Sequence, residues 1–494
     1  MRPHNEVPEA ASFPDNSAAI AGGGLIYSPP PPEKPAAAEP GSQSLHHRVI
    51  RAGTWTIIGH AARQILRLGS NLIMTRLLVP EMFGIMALAN VLLMGLQLFS
   101  DFGLRQNIVQ SRRGHDQVFL DTAWAIQVLQ GIGVGAIALG IAGALEVIDM
   151  FGLLPAGSVY ADPNLPAVIA ALSINQVISG FESTKLITAS RNLIVGKLTL
   201  IELGSQVAGL VLMLAWAFVD RSIWALVAGS LLSCVFRVVL SNIALPGKGN
   251  RWQWNADALR EILGFGKWII ATSILGFLAS SGDRLILGGL TDTKTLGMYS
   301  IAFFMVGALN EAIAKLIGNV LFPALSEVAR EQPAMLKQTY YKFRRPLDIV
   351  TLLITGILFS AGHLVVQLLY DSRYLPVGHM LEILSIMLFG VRYTVAVQSF
   401  IALGKPKLMI PITGIQVIAL YGVMPLVFAW YGIEGALWMT GGSVLMTLPM
   451  IIFLKIKLDL FDWKRELFGL PWLACGLALG WAMNQLAIVV GRSA

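Results

Sequence analysis

Charge is scarce in this sequence. Of the 494 residues, 13% are Asp, Glu, Lys or Arg, and 55% are hydrophobic. A soluble domain carries about 25% charged residues, so the composition excludes an ordinary soluble protein. Many runs of roughly 20 residues are almost uninterrupted apolar sequence, which is long enough to cross a bilayer as a helix. The sequence therefore predicts an all-α polytopic membrane protein.

Residues that carry enzyme chemistry are also few. The two cysteines, Cys234 and Cys475, lie far apart in apolar runs, which favours small core residues over a disulfide or a metal site. No H-E-x-x-H or G-x-S-x-G sequence occurs, and Lys294-Thr295 lacks the glycine of a phosphate-binding loop. We predict that the protein is not an enzyme.

The first 47 residues differ from the rest of the chain. They contain the proline run Pro29–Pro32 and the glycine run Gly22–Gly24, which are typical of disordered sequence. They lack a basic region followed by an apolar core, so they do not resemble a signal peptide. We predict a disordered, Pro-rich cytoplasmic tail over 1–47, and the proline run either docks a partner domain or is simply solvated.

About thirteen apolar runs follow the tail, and we predict that each crosses the membrane. The predicted spans are 55–79, 83–104, 118–148, 165–188, 198–219, 223–245, 266–290, 297–322, 346–370, 377–403, 408–430, 433–454 and 467–490. The longest predicted outer loop, Asp149–Asn164, is too short to fold as a domain. An extramembrane catalytic module therefore has no place in the sequence.

Basic residues concentrate in alternate loops. The predicted inner loops carry 21 of them: Arg105, Arg112, Arg113, Lys185, Arg191, Lys197, Lys248, Arg251, Arg260, Lys267, Arg330, Lys337, Lys342, Arg344, Arg345, Lys405, Lys407, Lys455, Lys457, Lys464 and Arg465. The predicted outer loops carry 4: Arg221, Lys294, Arg373 and Arg492. This asymmetry predicts a cytoplasmic N-terminus. The net charge of +7 is therefore explained by the orientation of the chain in the membrane and by attraction to an anionic leaflet. Binding to nucleic acid is not needed to explain it.

The two halves of the chain resemble each other. The sequence at Phe83–Ala89, which opens span 2, is similar to that at Leu296–Ala302, which opens span 8, at an offset of about 213 residues. An offset of six spans predicts two six-helix lobes related by a pseudo-two-fold axis along the membrane normal. The predicted boundaries are an N-lobe at 48–245, a cytoplasmic linker at 246–265, a C-lobe at 266–455 and an extra C-terminal span within 456–494.

The first predicted span carries charges at membrane depth. Arg63 and Arg67 lie one turn apart on one helix face, with Ser70 and Asn71 in the same polar sector, whereas Arg76 points to the opposite side. Two interpretations remain open. Either this face lines a cavity inside the membrane, or the helix begins earlier and both arginines reach lipid phosphates at the interface.

Other charges fall inside the predicted spans 7 and 10. Asp283 and Arg284 point about 100° apart on a helix, so one would face a cavity while the other meets a neighbouring helix. That arrangement fits either ion coupling or a structural ion pair. Arg392 lies in the middle of its span without a local partner, and we predict that it faces a cavity and binds substrate.

Two acid–base pairs complete the candidates. Glu311 and Lys315 are four residues apart, a spacing that favours mutual neutralisation on a helix. Glu182 and Lys185 end the fourth span near the predicted inner face. Both pairs are candidates for ion coupling or for structural pairing, and the sequence does not rank the acids.

Three motifs resemble those of the polysaccharide flippases in the multidrug/oligosaccharidyl-lipid/polysaccharide exporter superfamily. The sequence TRLLVPEMFG at Thr75–Gly84 resembles their TRLLGPEEYG. The sequence DFGL at Asp101–Leu104, followed by IVQ at Ile108–Gln110, is similar to their DLGL and LVQ. Gly282–Gly288, followed by Leu296–Ser300, is similar to ADRLLIGRFLG…LGLYS. The resemblance extends from about residue 50 to about residue 455.

The resemblance implies two lobes around a central cavity and transport by alternating access. The implied cargo is an oligosaccharide on undecaprenyl pyrophosphate, flipped across the bacterial inner membrane for surface or exopolysaccharide biosynthesis. An H+ or Na+ gradient would drive it, with no other cofactor. In the family, cavity arginines bind the pyrophosphate, and by position this role falls on Arg63, Arg67 and Arg284. The sequence departs from the family pattern at two points. Position 289 is a glycine where the family frequently has an arginine, and the thirteenth span lies beyond the family's two lobes.

The resemblance also implies partners and alternatives. The partners are the lipid-linked oligosaccharide, membrane lipids, a polysaccharide polymerase and a chain-length regulator. The alternatives within the superfamily are a small-molecule or drug exporter and a lipid II flippase. A membrane polymerase or ligase is disfavoured because the predicted outer loops are too short for a catalytic domain.

Overall fold

A computed structural model describes the backbone of residues 45–111 and 113–492, and the side chains of these residues except 45–53, 110, 265–269, 271–272, 319–320 and 490–492. Residues 1–44, most of the predicted tail, therefore lie outside the described part. The chain divides after Arg48 into two units, and the second, Val49–Ala494, contains the helices that form the sites below.

Eight helices form the first half of the described chain. They are α1 (Leu45–Leu77), α2 (Pro80–Ser100), α3 (Leu104–Gln110), α4 (Gln117–Met150), α5 (Asn164–Gly180), α6 (Lys185–Arg191), α7 (Val195–Val219) and α8 (Trp224–Ile243). Local sequence sets several boundaries. Pro80 stands at the first position of α2, where its missing N–H costs nothing. The side chain of Asp116 caps α4 by accepting from the backbone N–H of Val118.

Twelve helices form the second half. They are α9 (Ala256–Leu290), α10 (Thr293–Leu316), α11 (Phe322–Glu331), α12 (Leu336–Leu369), α13 (Pro376–Leu384), α14 (Ile386–Val391), α15 (Thr394–Ala402), α16 (Met409–Ile418), α17 (Met424–Met446), α18 (Leu448–Lys457), α19 (Trp463–Leu467) and α20 (Leu470–Arg492). The side chain of Asn255 caps α9 by accepting from the backbone N–H groups of Asp257 and Ala258. This helix therefore begins inside the predicted linker at 246–265.

The all-α polytopic prediction is confirmed, and the described residues contain no strand. Nine of the described helical segments are long and apolar enough to cross a membrane, or ten if α5 and α6, which are bent by 61°, form one broken span. One of the nine, Pro406–Lys457, covers two predicted spans. Gly432 interrupts it with φ +60°, a conformation that glycine adopts readily. The polar helices α1 and α9 account for the other two predicted spans.

Helices α2 and α10, which open with the repeated sequence, pack directly against each other. A Cβ atom on Gly84 would lie 2.0 Å from the carbonyl oxygen of Thr293, and one on Gly297 would lie 1.9 Å from that of Pro80. Only glycine permits this approach of the two backbones. The contact is reciprocal, since Pro80 and Thr293 differ by the same 213 residues as Gly84 and Gly297.

The predicted extra helix, α20, packs along α12. Small residues again line the contact. A Cβ atom on Gly476 would lie 2.4 Å from the carbonyl oxygen of Leu353, and one on Gly356 would lie 2.6 Å from that of Leu473. Asn484 adds a hydrogen bond of 2.6 Å from its side-chain amide to the carbonyl oxygen of Ser360.

Candidate functional site

The polar face of α1 meets acids from two other helices. Arg63 forms an ion pair with Glu202 on α7. One turn further along, Arg67 forms an ion pair of 3.2 Å with Glu311 on α10 and lies over the ring of Phe304, 4.9 Å from its centroid. The two arginines therefore lie one turn apart, as their spacing predicts. Each has a carboxylate partner that the local sequence does not show.

Further contacts hold α1 against α10. The amide of Gln64 donates to the carbonyl oxygen of Ala308 at 3.1 Å. Lys315 lies 2.7 Å from Nδ1 of His60 and 3.1 Å from the carboxylate of Glu311. Glu311 and Lys315 thus form the i,i+4 pair that their spacing favours. Glu311 accepts from both Lys315 and Arg67, so the pair is part of a bridge between the two halves of the chain.

These ion pairs are only partly buried. The side chains of Arg63 and Glu202 are 27% and 34% exposed, and those of Arg67 and Glu311 are 44% and 40% exposed. Pairs that are exposed to water contribute about 0–1 kcal/mol each, because solvent screens them and because holding two long side chains in place costs entropy. The α1 arginines can therefore exchange partners at small cost.

Glu202 also lines a cavity of about 470 Å³ in the first half of the chain, whose wall contains both polar and apolar side chains. Polar side chains from seven helices and two loops contribute to its lining: Gln97, Asp101, Arg105, Gln127, Gln130, Gln176, Ser179, Glu182, Ser190, Glu202 and Arg237. Four of them are glutamines, whose amides both donate and accept hydrogen bonds. The N–H groups of Gln127 already donate to the backbone carbonyls of Gly180 and Glu182, and those of Gln130 donate to the hydroxyl of Ser100. The cavity is therefore suited to a ligand rich in hydroxyl groups.

The structure does not join Glu182 to Lys185. Glu182 pairs with Arg237 on α8 at 2.5 Å, and Lys185 donates to the carbonyl oxygen of Asn242 at 2.9 Å. Glu182 is thus part of the cavity wall, whereas Lys185 fixes the junction between α6 and α8.

The sequence analysis missed Glu202 and Arg237 as site residues. Both lie inside predicted spans, four and fourteen residues from the starts of 198–219 and 223–245. The criterion that selected Arg63, a charge inside an apolar run, would have found them. Their pairing with Arg63 and Glu182 depends on the packing of separate helices and has no signal in the sequence.

Asp283 on α9 faces a second cavity, of about 250 Å³. It is 2% exposed and accepts a short hydrogen bond from the hydroxyl of Tyr299. Its other oxygen, Oδ1, lies 3.7 Å from Nε of Arg284 and has no hydrogen-bond partner among the described residues. The side chains of Asn310 and Thr440 line the same cavity. The site combines one carboxylate with neutral oxygen atoms.

Arg284 stays within ion-pair distance of Asp283, at 3.7 Å, although adjacent helical residues point about 100° apart. Its guanidinium lies over the ring of Phe303, 4.6 Å from the centroid. It donates to the carbonyl oxygen of Ser280 at 2.9 Å and to the hydroxyl of Ser281 at 3.2 Å. These contacts hold it beside α9.

Arg392 has no partner nearby in the sequence, as the sequence analysis states, but it is paired with residues distant in the chain. The residue is 1% exposed. It donates to the carboxylate of Asp348 at 3.0 Å and to the carbonyl oxygen of Glu466 at 2.9 Å. Both partners are more than 40 residues away in sequence, which is why the local sequence does not show them. The geometry places Arg392 in a buried ion cluster and not towards a cavity.

This buried ion cluster consists of Arg344, Asp348, Arg392, Lys455 and Glu466. Arg344 is fully buried and lies 2.6 Å from Glu466 and 3.2 Å from Asp348. Lys455, also fully buried, contacts Glu466. Two carboxylates thus hold three cations, and aromatic rings supply further stabilisation: the guanidinium of Arg344 lies 4.8 Å from the ring centroid of Tyr393. The cluster ties α12 to α18 and α19.

A seam joins the two halves at the C-terminal end of α1. Tyr374 donates to the carbonyl oxygen of Leu78 at 2.8 Å, and Arg373 donates to that of Arg76 at 3.0 Å. Arg373 also pairs with Asp371. Its hydrogen bonds lower the pKa of the Asp371 carboxyl, which lies in the loop between α12 and α13.

The loop between α4 and α5 extends the same seam. The backbone N–H of Val159 donates to the carbonyl oxygen of Thr291 at 3.2 Å. The hydroxyl of Tyr160 donates to the backbone carbonyl oxygen of Leu285 at 3.1 Å. Burial raises the pKa of Tyr160 to about 12, so its hydroxyl keeps the proton that it donates. The two halves are closed against each other at this end.

The chain is similar in sequence to a known protein family and to several relatives. The family described as polysaccharide biosynthesis protein matches residues 73–378. The chain is 22% identical over 354 residues to the lipopolysaccharide biosynthesis protein WzxC of Escherichia coli strain K12, covering 70% of this chain and 68% of that protein. It is 22% identical over 401 residues to an uncharacterized membrane protein in the cps region of Klebsiella pneumoniae, covering 80% and 79%.

Solved structures show the same fold. The structure of the lipid II flippase MurJ in an inward closed conformation aligns with a TM-score of 0.65 at 11% identity, over 88% of this chain and 93% of that one. An inward-facing multidrug resistance transporter of the MATE family in the MOP superfamily aligns with a TM-score of 0.55 at 14% identity, over 80% and 94%. At these identities the likeness is one of fold.

Proposed function

The chain belongs to the polysaccharide biosynthesis protein family, and from that premise we propose that it flips undecaprenyl-pyrophosphate-linked oligosaccharide units across the bacterial inner membrane. The flipped units would feed surface or exopolysaccharide synthesis. This is transport, not catalysis, and the chain is a multi-pass membrane protein. A cytoplasmic N-terminus and cooperation with a polymerase and a chain-length regulator are part of the proposal.

The observation that carries the proposal is the pair of arginines on α1. Arg63 and Arg67 lie one turn apart, and each is held by one partly exposed carboxylate. A diphosphate carries several negative charges and accepts bidentate hydrogen bonds from guanidinium groups. It can therefore replace Glu202 and Glu311 as the partner of both arginines. The small stability of such exposed pairs keeps the exchange inexpensive.

The amide-lined cavity would receive the sugars. Glu202 is shared between the ion pair with Arg63 and the wall of this cavity. A cargo with its diphosphate on Arg63 would thus place its first sugars among the glutamine side chains. These amides can donate to and accept from sugar hydroxyl groups.

Arg284 is a weaker candidate for the diphosphate. Its contacts with Phe303 and Ser280 leave its Nε without a hydrogen-bond partner among the described residues. We propose that it assists as a third cation. Arg392 is left out of the substrate site because the buried ion cluster holds it.

We further propose that H+ or Na+ couples at Asp283. Asp283 lines a cavity together with neutral oxygen-bearing side chains, the ligand type that a hard cation prefers. If H+ is the coupling ion, the proton would bind to the carboxylate of Asp283 in place of Na+. Glu311, paired with Lys315 and Arg67, would then respond to cargo and not to the coupling ion.

The two-lobe arrangement is part of the proposal. The reciprocal contact of Gly84 and Gly297 is what a two-fold axis between equivalent helices would produce. The seam at the end of α1 would be the closed gate of this state, and alternating access would open it.

Deletion of the gene tests the function. If the proposal holds, undecaprenyl-linked glycans accumulate in the deletion strain and are detected by mass spectrometry of the lipid extract. Normal glycan levels with loss of drug resistance would instead identify a drug exporter. Accumulated lipid II would identify a lipid II flippase.

A double substitution tests the site. R63A/R67A should abolish polymer export while the protein still inserts in the membrane at normal level. Arg76→Ala is the matched control, because Arg76 lies on the same helix with an exposed side chain on the other face. Normal export in R63A/R67A would overturn the cationic site.

A further inference from the structure

A second basic site lies away from the proposed cargo path. The first turns of α12 and the short helix α19 enclose a pocket of about 250 Å³. Its lining consists of Gln338, Tyr341, Lys342, Arg345 and Arg465. Three of these five side chains are cations, so the pocket, which we call the α12–α19 pocket, attracts an anion.

The positive charge of the α12–α19 pocket is largely uncompensated. Arg465 pairs with Asp462 at 3.2 Å. Within the part of the chain that the structure describes, no carboxylate lies within ion-pair distance of Lys342 or Arg345. The guanidinium of Arg345 lies 4.7 Å from the ring centroid of Phe468, which orients it without neutralising it.

The surroundings of the pocket are those of a membrane interface. Helix α19 and the start of α20 expose large apolar side chains: Trp463 is 61% exposed, Leu467 50%, Phe468 40% and Trp472 36%. Aromatic residues next to basic ones are typical of the level at which headgroups meet the hydrocarbon. Exposed apolar side chains beside the pocket favour a lipid headgroup over a soluble anion as its occupant.

We propose that the α12–α19 pocket binds the phosphate headgroup of an anionic phospholipid. Lys342 and Arg345 bind the phosphate, and Trp463 and Phe468 lie against the upper acyl chains. Basic pockets between helices on the positively charged side of a membrane protein are suited to such headgroups.

The lipid would also stabilise the junction behind the pocket. Tyr341, which forms its wall, donates to the carboxylate of Glu466 at 2.8 Å and accepts from the backbone N–H of Asp462 at 3.0 Å. Glu466 belongs to the buried ion cluster. A lipid against Tyr341 would therefore hold α19 on α12 and, through α19, position α20.

The test uses the full chain in detergent, with binding of phosphatidylglycerol or cardiolipin measured by native mass spectrometry. K342Q/R345Q should bind either lipid about 30-fold more weakly than wild type, since each interfacial cation contributes about a fivefold factor. The charge-retaining variant K342R/R345K should keep most of the binding. K405Q/K407Q, two exposed cations of another predicted inner loop, is the matched control and should bind as wild type.

Three outcomes overturn the proposal. One is equal lipid binding by wild type and K342Q/R345Q when both fold, as judged by their melting temperatures. Another is an equal loss in K405Q/K407Q, which would indicate general surface charge. The third is a rise in melting temperature with inorganic phosphate alone and no rise with phosphatidylglycerol vesicles. This result would identify a site for a soluble anion.

Discussion

Two sets of ion pairs differ sharply in burial. The α1 arginines and their carboxylates are 27% to 44% exposed. In the buried ion cluster, Arg344, Asp348 and Arg392 are at most 3% exposed. Of the exposed pairs, Arg63–Glu202 joins two helices of the first half beside a cavity, and Arg67–Glu311 joins the two halves. The buried cluster connects helices of the second half only.

This difference in burial separates two roles for the same residue types. A buried cation that loses its partner is an uncompensated charge at low dielectric, so the cluster must remain intact. A partly exposed cation that loses its partner can be rehydrated or can bind another anion. Burial therefore distinguishes cations that hold the fold from cations that can bind cargo.

The largest effect is expected from breaking the buried cluster. Asp348→Asn removes the carboxylate that both Arg344 and Arg392 contact. Loss of one partner in a buried pair costs about 3–5 kcal/mol, so the melting temperature in detergent and the yield of folded protein should both fall strongly.

The matched control for this prediction is Asp459→Asn. Asp459 also pairs with a lysine, Lys337, but its side chain is 96% exposed. Its substitution should leave the melting temperature unchanged. A similar loss of stability in both variants would contradict the structural role given to burial.

An intermediate effect is expected at the crossing of α2 and α10. Gly84→Ala places a methyl group against the carbonyl oxygen of Thr293, and overpacking of this kind costs about 1–3 kcal/mol. The melting temperature should fall, and export should fall with it. Gly133→Ala is the control, because no heavy atom lies within 4 Å of its added Cβ. A lower melting temperature in Gly133→Ala than in Gly84→Ala would contradict the close approach.

The sequence predicted the helices well and the partners of the charges poorly. Each predicted span lies on one helix or on consecutive helices separated by short breaks, as in α13–α15 for the span 377–403, because a run of apolar residues determines a membrane helix locally. Glu311 and Lys315 were paired correctly because they are four residues apart on one helix. The partners of Arg63, Arg67 and Arg392 lie on other helices, and only tertiary packing brings them together.

The role of Arg392 shows this limit clearly. A cation inside an apolar run indicates either a cavity or a buried partner, and the two arrangements have the same local sequence. Asp348 and Glu466, which bind it, lie 44 and 74 residues away. Glu466 itself lies beyond the twelve spans of the repeat, so no symmetry argument leads to it.

A small effect is expected from breaking one α1 pair. Glu202→Gln removes the partner of Arg63 and should cost at most about 1 kcal/mol, because the pair is partly exposed. The melting temperature should stay close to that of wild type. A loss as large as that of Asp348→Asn would show that the pair holds the fold and does not exchange.

The smallest effect is expected from pH at the seam. Because the pKa of Asp371 is lowered in the folded chain, its pairing with Arg373 stabilises the seam above the unfolded value of about 4 and is lost only as pH falls through the folded value. Cross-linking of a cysteine pair placed across the seam should therefore be the same between about pH 5 and pH 8. A steep change in that range would contradict this assignment.

The central claim is that the α1 arginines exchange their carboxylates for the diphosphate of the cargo. It is tested most directly by the affinity of the purified protein for undecaprenyl pyrophosphate. R63A/R67A should bind it much more weakly than wild type. E202Q/E311Q, which lacks the competing carboxylates, should bind it more tightly, by up to about tenfold. Equal or weaker binding by E202Q/E311Q, or wild-type binding by R63A/R67A, would contradict the exchange.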